Sequence, residues 1–203
     1  MITGVSLNHG GQYYFRVHKK KLANHCKNGF SNLWNYISLV LKNCPTEHFV
    51  EGPRSSVLKF DLGVDKKSLD HEVKYLARIG LDSDYYGDNH LNVQMFMLAY
   101  DQNTVAIEIP IWLEAEEYEN YKDLFGTEKS LSGHIDIVRI ENGLVWIWDY
   151  KPNAHREKYA DTQVYFYAFM LSKRTGIPLK KFMCGYFDDK NTYVFKPSEV
   201  KFF

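Results

Sequence analysis

The sequence has few cysteines and no long apolar segment, and both absences exclude classes of protein. Its three cysteines, Cys26, Cys44 and Cys184, are too few and too scattered for a disulfide framework. Since thiols persist in reducing compartments, we expect an intracellular, cytoplasmic protein. No run of about eighteen apolar residues exists, and residues 1–15 lack a charged region followed by an apolar one. We therefore expect neither a membrane span nor a secretory signal.

The sequence also has no excess of either charge, with 25 basic and 25 acidic residues. A protein that binds duplex nucleic acid tightly and without sequence preference is usually basic overall. The neutral balance favours a small contact footprint or a partner protein that supplies affinity. Basic residues cluster at 18–21, 173–174 and 180–181. We expect these clusters to be solvated surface, and contact with phosphates is the alternative interpretation. No phosphate-binding loop of the type G-x-x-x-x-G-K-[ST] occurs, which argues against a nucleotide hydrolase.

The composition is that of an ordered globular protein, with 45% hydrophobic and 16% aromatic residues. A chain of 203 residues suits one domain with a sizeable core. Residues 133–151, GHIDIVRIENGLVWIWDYK, contain the most informative pattern. They predict two β-strands joined by a tight turn, with Asp136 in the first strand and Asp149 at the end of the second. The second strand is apolar on both faces, so we expect it to be central and covered on both sides.

Three charged groups are expected to meet at the end of this second strand. Asp149 and Lys151 are two residues apart and point to the same face, next to Asp136 on the neighbouring strand. Two carboxylates and an ammonium are costly to bury without a function. A divalent metal held by the carboxylates, with the lysine beside a reacting water, accounts for all three. On spacing alone, a structural salt bridge of Lys151 with one aspartate is the alternative. The apolar strand that precedes the charges favours the metal site.

The motifs occur in the order G-x-x-D, D-x-K and Q-x-x-x-Y. They are Gly133 to Asp136, Asp149-Tyr150-Lys151, and Gln163 with Tyr167. As an ordered set they resemble the PD-(D/E)XK nuclease superfamily and, more narrowly, its RecB-type exonuclease branch. That branch also has a helix histidine and a strand glutamate upstream, which His90 and Glu108 resemble. The resemblance covers about residues 85–195 and implies an αβββαβ core of the restriction-endonuclease-like type.

The resemblance implies a metal centre. Asp136 and Asp149 are expected to bind Mg²⁺ or Mn²⁺, which prefer hard oxygen ligands. The carbonyl of Tyr150 and the neutral imidazole of His90 are expected as further ligands, and Glu108 as a member of the catalytic set. The alternatives are a partly buried helix histidine for His90 and a charged residue on an edge strand for Glu108.

The resemblance also implies how the remaining motif residues act. Lys151 is expected to orient or deprotonate the attacking water, or to stabilise charge on the phosphorane. Gln163 and Tyr167 lie four apart and share one helix face, from which they are expected to hold Lys151 or a DNA phosphate. Their neighbours Tyr165 and Phe166 are expected in the core.

The cysteines mark a departure from the RecB-type branch. Many relatives hold an iron–sulfur cluster through four cysteines, three of them near the C-terminus. This chain has three cysteines in all, and only Cys184 follows the predicted catalytic core. We therefore predict no iron–sulfur cluster. The departure argues against a role in CRISPR adaptation and leaves the nuclease prediction intact.

Hydrophobic periodicity predicts helices and strands in an order that fits the αβββαβ core, and the resemblance implies an α/β fold with a mixed central sheet flanked by helices. The predicted helices are 29–43, 67–79, 88–100 and 156–174. The predicted strands are 55–62, 104–112, 133–140, 144–151, 181–188 and 191–196. We expect residues 86–203 to form the nuclease core. Residues 1–85 are expected to be an N-terminal elaboration of the same domain that shapes the substrate channel.

Taken together, these patterns predict a metal-dependent DNA nuclease that acts in DNA repair or recombination. It is expected to be a RecB-like exonuclease or an endonuclease that prefers single strands or flaps. One rival is a catalytically inactive nucleic-acid-binding or scaffold module of the same fold. The other is a small metal-binding protein that acts on a different phosphate ester. The presence of Asp136, Asp149, Lys151 and Gln163 together argues against an inactive module.

Overall fold

The computed structural model describes residues 1–27 and 29–201, which form an α/β fold around one eight-stranded sheet. In chain order its strands are β1 Ile2–Asn8, β2 Gln12–His18, β3 Lys67–Ser68, β4 Thr104–Leu113, β5 Leu131–Glu141, β6 Leu144–Tyr150, β7 Phe182–Phe187 and β8 Thr192–Phe195. Across the sheet they lie in the order β1-β2-β4-β5-β6-β7-β8-β3. Strands β6 and β7 run parallel and the other neighbours antiparallel. The predicted mixed central sheet is confirmed.

Helices cover both faces of this sheet. They are α1 Lys19–Cys26, α2 Ser31–Lys42, α3 Val73–Ser83, α4 Asn89–Tyr100, α5 Tyr121–Phe125 and α6 Ala160–Thr175. Trp146 and Trp148 of β6 pack with Met97 of α4, whereas Val145 and Ile147 belong to the core that contains α6. Strand β6 is therefore central and covered on both sides, as predicted. Among the described ranges, no helix has the length and apolarity needed to cross a membrane.

The N-terminal residues extend the sheet beyond β4. Strands β1 and β2 form a hairpin whose turn contains Gly10, with a φ of +74° that favours glycine. Strand β2 then pairs with β4, matching Arg16 with Ile107 and Val17 with Ala106. This pairing lays the hairpin beside the strands that carry the predicted catalytic residues.

Lys21 joins the N-terminal part of the chain to α4, the helix that carries His90. The side chain is buried, and its Nζ donates to the carbonyls of Leu98 (2.7 Å) and Asp101 at the end of α4. The last carbonyls of a helix lack partners within it, so a buried ammonium there stabilises both the carbonyls and the helix dipole. We expect Lys21→Met to lower the free energy of unfolding by about 1–3 kcal/mol, because buried acceptors lose their donor. Urea unfolding measures this change. Lys20 is an exposed neighbour, and Lys20→Met is the control, for which we expect the free energy of unfolding to change by less than about 0.5 kcal/mol. Equal effects of the two variants would contradict a stabilising role of Lys21 at the end of α4.

The strand predicted at 55–62 is wrong. Ser55–Val57 form a single 3₁₀ turn, and no regular element follows it in this segment. The apolar pattern reflects burial of Leu62 in the core rather than pairing in a sheet. The backbone is held instead by another element, because Thr162 Oγ1 of α6 donates to the carbonyl of Phe60 at 2.8 Å.

The helix predicted at 67–79 is wrong in its start and in its buried face. Lys67–Ser68 form β3 and pair with β8, so α3 begins later than predicted. The apolar spacing of Leu69, Val73, Leu76 and Ile79 predicts that these residues share the buried face of that helix, yet half of Ile79 is exposed. Gly80 is buried instead, and a Cβ there would lie 3.0 Å from Cα of Val93 in α4. Close approach of the two helices at a small residue therefore decides which face is buried.

The remaining predicted elements are confirmed with shifted ends. The helices correspond to α2, α4 and α6, and the strands to β4, β5, β6, β7 and β8. The largest shift is at the start of α6, which begins at Ala160 because Ala154–Arg156 form a separate 3₁₀ turn. The helix ends before Gly176, whose φ of +69° stops it as predicted.

Candidate active site

Two carboxylates and one ammonium meet where β5 and β6 lie side by side. Asp136 lies in β5, and Asp149 lies near the end of β6. Asp149 is fully buried, and its Oδ2 lies 2.8 Å from Nζ of Lys151, which follows the strand. The backbone N–H of Tyr150 donates to Asp136 Oδ2 at 3.2 Å. This ion pair alone is consistent with a purely structural salt bridge as well as with a metal site. The groups around it therefore decide between these two interpretations.

Helix α4 brings a histidine to the same carboxylates. The helix is capped by Asp88, whose side chain accepts from the N–H of Leu91 at 2.7 Å. His90 lies in the first turn, with Nε2 2.9 Å from Asp136 Oδ2. Its ring meets the ring of Tyr150 edge-on, with centroids 5.6 Å apart. The cap and the aromatic contact together fix the direction in which His90 points.

Glu108 lies in the middle of β4 with a strained backbone. Its φ is +53°, in the left-handed region that favours glycine. Gln94 of α4 donates to Glu108 Oε1 at 2.6 Å and to the carbonyl of Asp136 at 3.4 Å. Strain of this kind costs about 1–3 kcal/mol and concentrates at functional sites, where the surroundings enforce it. Gln94 is a site residue that the sequence analysis missed.

These residues fit a divalent metal. His90, Glu108 and Asp136 each offer a ligand atom, and the three atoms lie within 4.8 Å of one another. Carboxylate oxygens and an imidazole nitrogen suit Mg²⁺ or Mn²⁺. Among the described residues, the two buried oxygens of Asp149 have as polar partners only the ammonium of Lys151 and the carboxyl of Asp136. A buried carboxylate so poorly satisfied is expected where an ion completes its surroundings.

Burial and mutual contact shift the titration of all five groups. Burial and the neighbouring Asp136 raise the pKa of Asp149 well above its ordinary value and that of Glu108 to about 7. Burial opposes the charged form of His90, but Asp136 outweighs it and raises the pKa of His90 to about 9. Burial also opposes ionisation of Asp136, yet His90 holds the pKa of that carboxyl below its ordinary value. Asp149 raises the pKa of Lys151 against the effect of burial.

His90 is thus one half of an ion pair with Asp136 when no metal is bound, and the neutral imidazole expected from the sequence describes the metal-bound form. The neutral form applies only after its proton has left. Lys151 and His90 together supply two positive charges next to the carboxylates. A metal ion must displace these charges from the acidic groups.

Metal binding is therefore expected to release protons. Ligands must be deprotonated to bind, whereas His90, with a pKa of about 9, holds a proton near neutral pH. We expect Mn²⁺ binding near pH 7.5 to release at least about one proton. The apparent Kd should then fall by up to about tenfold per pH unit as the pH rises toward 9. Titration calorimetry in buffers of different ionisation enthalpy counts the protons. His90→Asn should release fewer than wild type, and binding by wild type without proton release would contradict the assignment.

Helix α6 packs Gln163 and Tyr167 against the site. Gln163 Nε2 donates to Tyr167 Oη at 2.8 Å, as residues four apart on a helix allow. A Cβ on Gly133 would lie 2.6 Å from the Tyr167 ring, so the glycine of the first motif makes room for this side chain. The predicted contact of the pair with Lys151 or with a phosphate stays a prediction. A groove of about 280 Å³ is lined by both residues together with His90, Glu108 and Asp136.

Comparison with known proteins identifies the family. The model of the PD-(D/E)XK nuclease superfamily matches residues 56–202, more than half of the chain. This chain belongs to the PD-(D/E)XK nuclease superfamily, and its mixed sheet flanked by helices is consistent with the restriction-endonuclease-like fold. Membership implies a metal-dependent nuclease that binds a nucleic-acid substrate. No curated protein and no solved structure matches the chain.

Proposed function

We propose that this chain is a RecB-like, metal-dependent DNA nuclease, acting as an exonuclease or as an endonuclease that prefers single strands or flaps. The observation that carries the proposal is the convergence of His90, Glu108, Asp136, Asp149 and Lys151 from α4, β4, β5 and β6. A histidine on a helix, a glutamate on a strand, D-x-K and Q-x-x-x-Y follow one another as in the RecB-type branch, which supports this choice within the superfamily.

In this proposal His90, Glu108, Asp136 and Asp149 hold the ion, and the carbonyl of Tyr150 adds a further oxygen. A bound Mg²⁺ or Mn²⁺ lowers the pKa of water and polarises the scissile phosphate. The ligand atoms of His90, Glu108 and Asp136 already lie within 4.8 Å of one another, so binding energy is not needed to assemble these three side chains. What binding requires is the loss of the proton on His90.

Lys151 acts as a charged donor in this proposal rather than as a base. Asp149 raises its pKa above the ordinary lysine value, so the ammonium keeps its proton at neutral pH. A charged ammonium donates hydrogen bonds to a water or a phosphate oxygen, and it accepts no proton. We therefore assign Lys151 to orienting the attacking water and to stabilising the charge of the phosphorane. Of the roles that the sequence left open, deprotonation of the water is the one that this charge disfavours.

Gln163 and Tyr167 are assigned to the substrate backbone. Both line the groove, and Tyr167 accepts the hydrogen bond from Gln163. The hydroxyl proton of Tyr167 is then directed to a second acceptor, which is either the neighbouring side chain of Ser55 or a phosphate oxygen. The bond within the pair fixes both side chains before the substrate arrives.

A panel of end-labelled substrates tests the proposed function. Wild-type protein with Mn²⁺ is incubated with linear and circular single-stranded DNA, duplex DNA, a flap substrate and RNA of the same sequence. We expect cleavage of linear single strands or flaps. Cleavage of the circle as well would establish an endonuclease, and its resistance an exonuclease. Preferential cleavage of RNA would contradict the DNA assignment. A folded, Mn²⁺-bound protein that cleaves nothing would favour the inactive binding module.

A further inference from the structure

One wall of the active-site groove comes from residues that the nuclease motifs do not include. Tyr13, Arg54 and Ser56 line the groove beside Glu108 and Asp136. Tyr13 follows the turn of the β1–β2 hairpin, and the other two lie in the turn around residue 55 that replaces the predicted strand. Tyr13 and Arg54 also lie outside the residues that match the superfamily.

The guanidinium of Arg54 is held at this wall without a carboxylate partner. It donates to the carbonyl of His9, and one of its nitrogens lies 3.5 Å from Ser132 Oγ. Its central carbon lies 5.7 Å from the centroid of the Tyr13 ring, a cation–π contact. Among the described residues, no acidic side chain forms an ion pair with Arg54. A guanidinium has five N–H donors, so most of them remain for a ligand.

A stack of rings fixes the position of Arg54. The ring of Tyr13 lies on the ring of His134, with centroids 3.6 Å apart and planes within 8°. His134 Nε2 lies 2.9 Å from His9 Nδ1, and His9 in turn stacks on Phe49 at 3.9 Å. His9 and His134 are both buried. The guanidinium therefore lies on a preorganised aromatic support, whereas a solvated arginine would move freely.

The charges of the groove identify the ligand that this arginine fits. The metal-binding side of the groove carries carboxylates, which repel phosphates. A phosphate chain that enters the groove therefore needs a fixed cation on the other side to bind its backbone. Arginine binds phosphate through parallel N–H bonds. The hydroxyl of Ser56, which is exposed, adds a donor two residues away. The groove of about 280 Å³ holds a nucleotide unit rather than a base pair, and an unpaired strand can bend its backbone into a space of that size.

We propose that Arg54, aided by Ser56, binds the phosphate next to the scissile one in an unpaired strand, and that Tyr13 is a positioning residue for Arg54. This subsite rests on the proposed nuclease function, and it names the substrate as a single strand with at least two consecutive phosphates. The N-terminal hairpin then has a role in substrate selection, because it supplies the aromatic support.

Two probes separate this subsite from the metal centre. A thymidine dinucleotide has one phosphodiester and no neighbouring phosphate, whereas a short labelled single strand has several. With Mn²⁺, we expect Arg54→Ala to lower kcat/KM on the longer strand by about 10- to 100-fold, because the variant loses a charge-assisted hydrogen bond to phosphate. We expect it to leave the dinucleotide rate unchanged. The slope of log kcat/KM against log salt should become shallower by about 0.7, the value for one phosphate contact on a single strand.

Matched variants distinguish direct phosphate binding from a structural role. Arg16 on β2 lies over Tyr14 at 5.3 Å, a pair similar to Arg54 and Tyr13 but on the opposite strand face, so Arg16→Ala removes one arginine outside the groove. It should keep the wild-type rate and salt slope. Arg54→Lys should keep the slope while losing part of the rate, because the charge remains without the planar fork. Should the alanine variant fail to fold, Arg54→Gln retains a donor for the carbonyl of His9 and serves in its place.

The outcomes are distinguishable. A selective loss on the longer strand together with a shallower salt slope supports the subsite. An equal loss on both probes, or no loss on either, overturns the subsite while the nuclease function stands. A wild-type protein that cleaves neither probe overturns the nuclease proposal and the subsite with it.

Discussion

Replacing Asp149 by asparagine is expected to abolish cleavage and, at the same time, to stabilise the protein. Loss of a ligand carboxylate removes several kcal/mol of transition-state stabilisation that the metal supplies, so cleavage should fall by at least about 10³-fold. Stability should rise because Asp149 is fully buried beside Asp136, and both effects raise its pKa in the folded state. A carboxyl whose folded-state pKa is raised makes folding less favourable at any pH above its unfolded pKa. Asparagine does not titrate and removes this penalty.

Two measurements check the Asp149→Asn prediction. Single-turnover cleavage with Mn²⁺ gives the rate, and thermal unfolding without metal gives Tm, where about 1 kcal/mol corresponds to about 2–4 °C for a chain of this size. Asp123→Asn is the matched control, because Asp123 is exposed on α5. It should change neither quantity. Cleavage by Asp149→Asn within about tenfold of wild type would remove Asp149 from the metal centre.

Replacing Lys151 by methionine is expected to separate catalysis from metal binding. Lys151 pairs with Asp149 at 2.8 Å when no metal is bound, so the ammonium competes with a cation for that carboxylate. Removing it should leave Mn²⁺ affinity unchanged or make it tighter. The cleavage rate at saturating metal should fall by about 10²- to 10⁴-fold, because the charged donor to the water and phosphorane is lost.

Calorimetry and single-turnover kinetics on the same preparation check the Lys151→Met prediction. Lys196→Met is the control, since Lys196 is exposed and pairs with Glu199 on the surface. A Lys151→Met protein that loses metal binding in proportion to its rate would show that the lysine stabilises the site rather than the transition state. An unchanged rate would show that Lys151 takes no part in catalysis.

The part of the site that was predictable from sequence is the part encoded by local spacing. Residues two apart on a strand share a face, which is why Asp149 and Lys151 meet as expected. The capped start of α4 and its apolar run placed His90 on a helix. The apolar segment before Asp149 predicted a central strand, and β6 lies in the middle of the sheet. Such features depend on residues close together in the chain.

Other parts of the site depend on tertiary contacts, and no local pattern in the sequence predicts them. The left-handed backbone of Glu108 is enforced by its surroundings, and no propensity predicts it for a glutamate. Gln94 has one signal that was available, because it lies four residues after His90 and so shares its helix face. Arg54 lies at the groove because a single β-bridge to Ser132 holds it there just before the turn at Ser55–Val57, and neither feature was predicted.

The N-terminal hairpin was recoverable in principle. Gly10 and Gly11 separate two runs of alternating apolar residues, which is a strong local signal for a hairpin. The pattern does not show which strand the hairpin pairs with. Strand β2 pairs with β4, and this pairing joins residues about ninety positions apart, such as Val17 and Ala106. The helix predicted at 67–79 was wrong for a similar reason, because packing against α4 at Gly80 outweighs the apolar periodicity.

The measurement that tests the central claim most directly is single-turnover cleavage of labelled single-stranded DNA by the wild-type protein, first in EDTA and then after addition of Mn²⁺. Asp149→Asn and Lys151→Met are assayed alongside. We predict no cleavage in EDTA, cleavage by wild type once Mn²⁺ is added, and its loss in both variants. Cleavage that persists in EDTA, or that survives in both variants, would contradict a metal centre built from β5, β6 and α4.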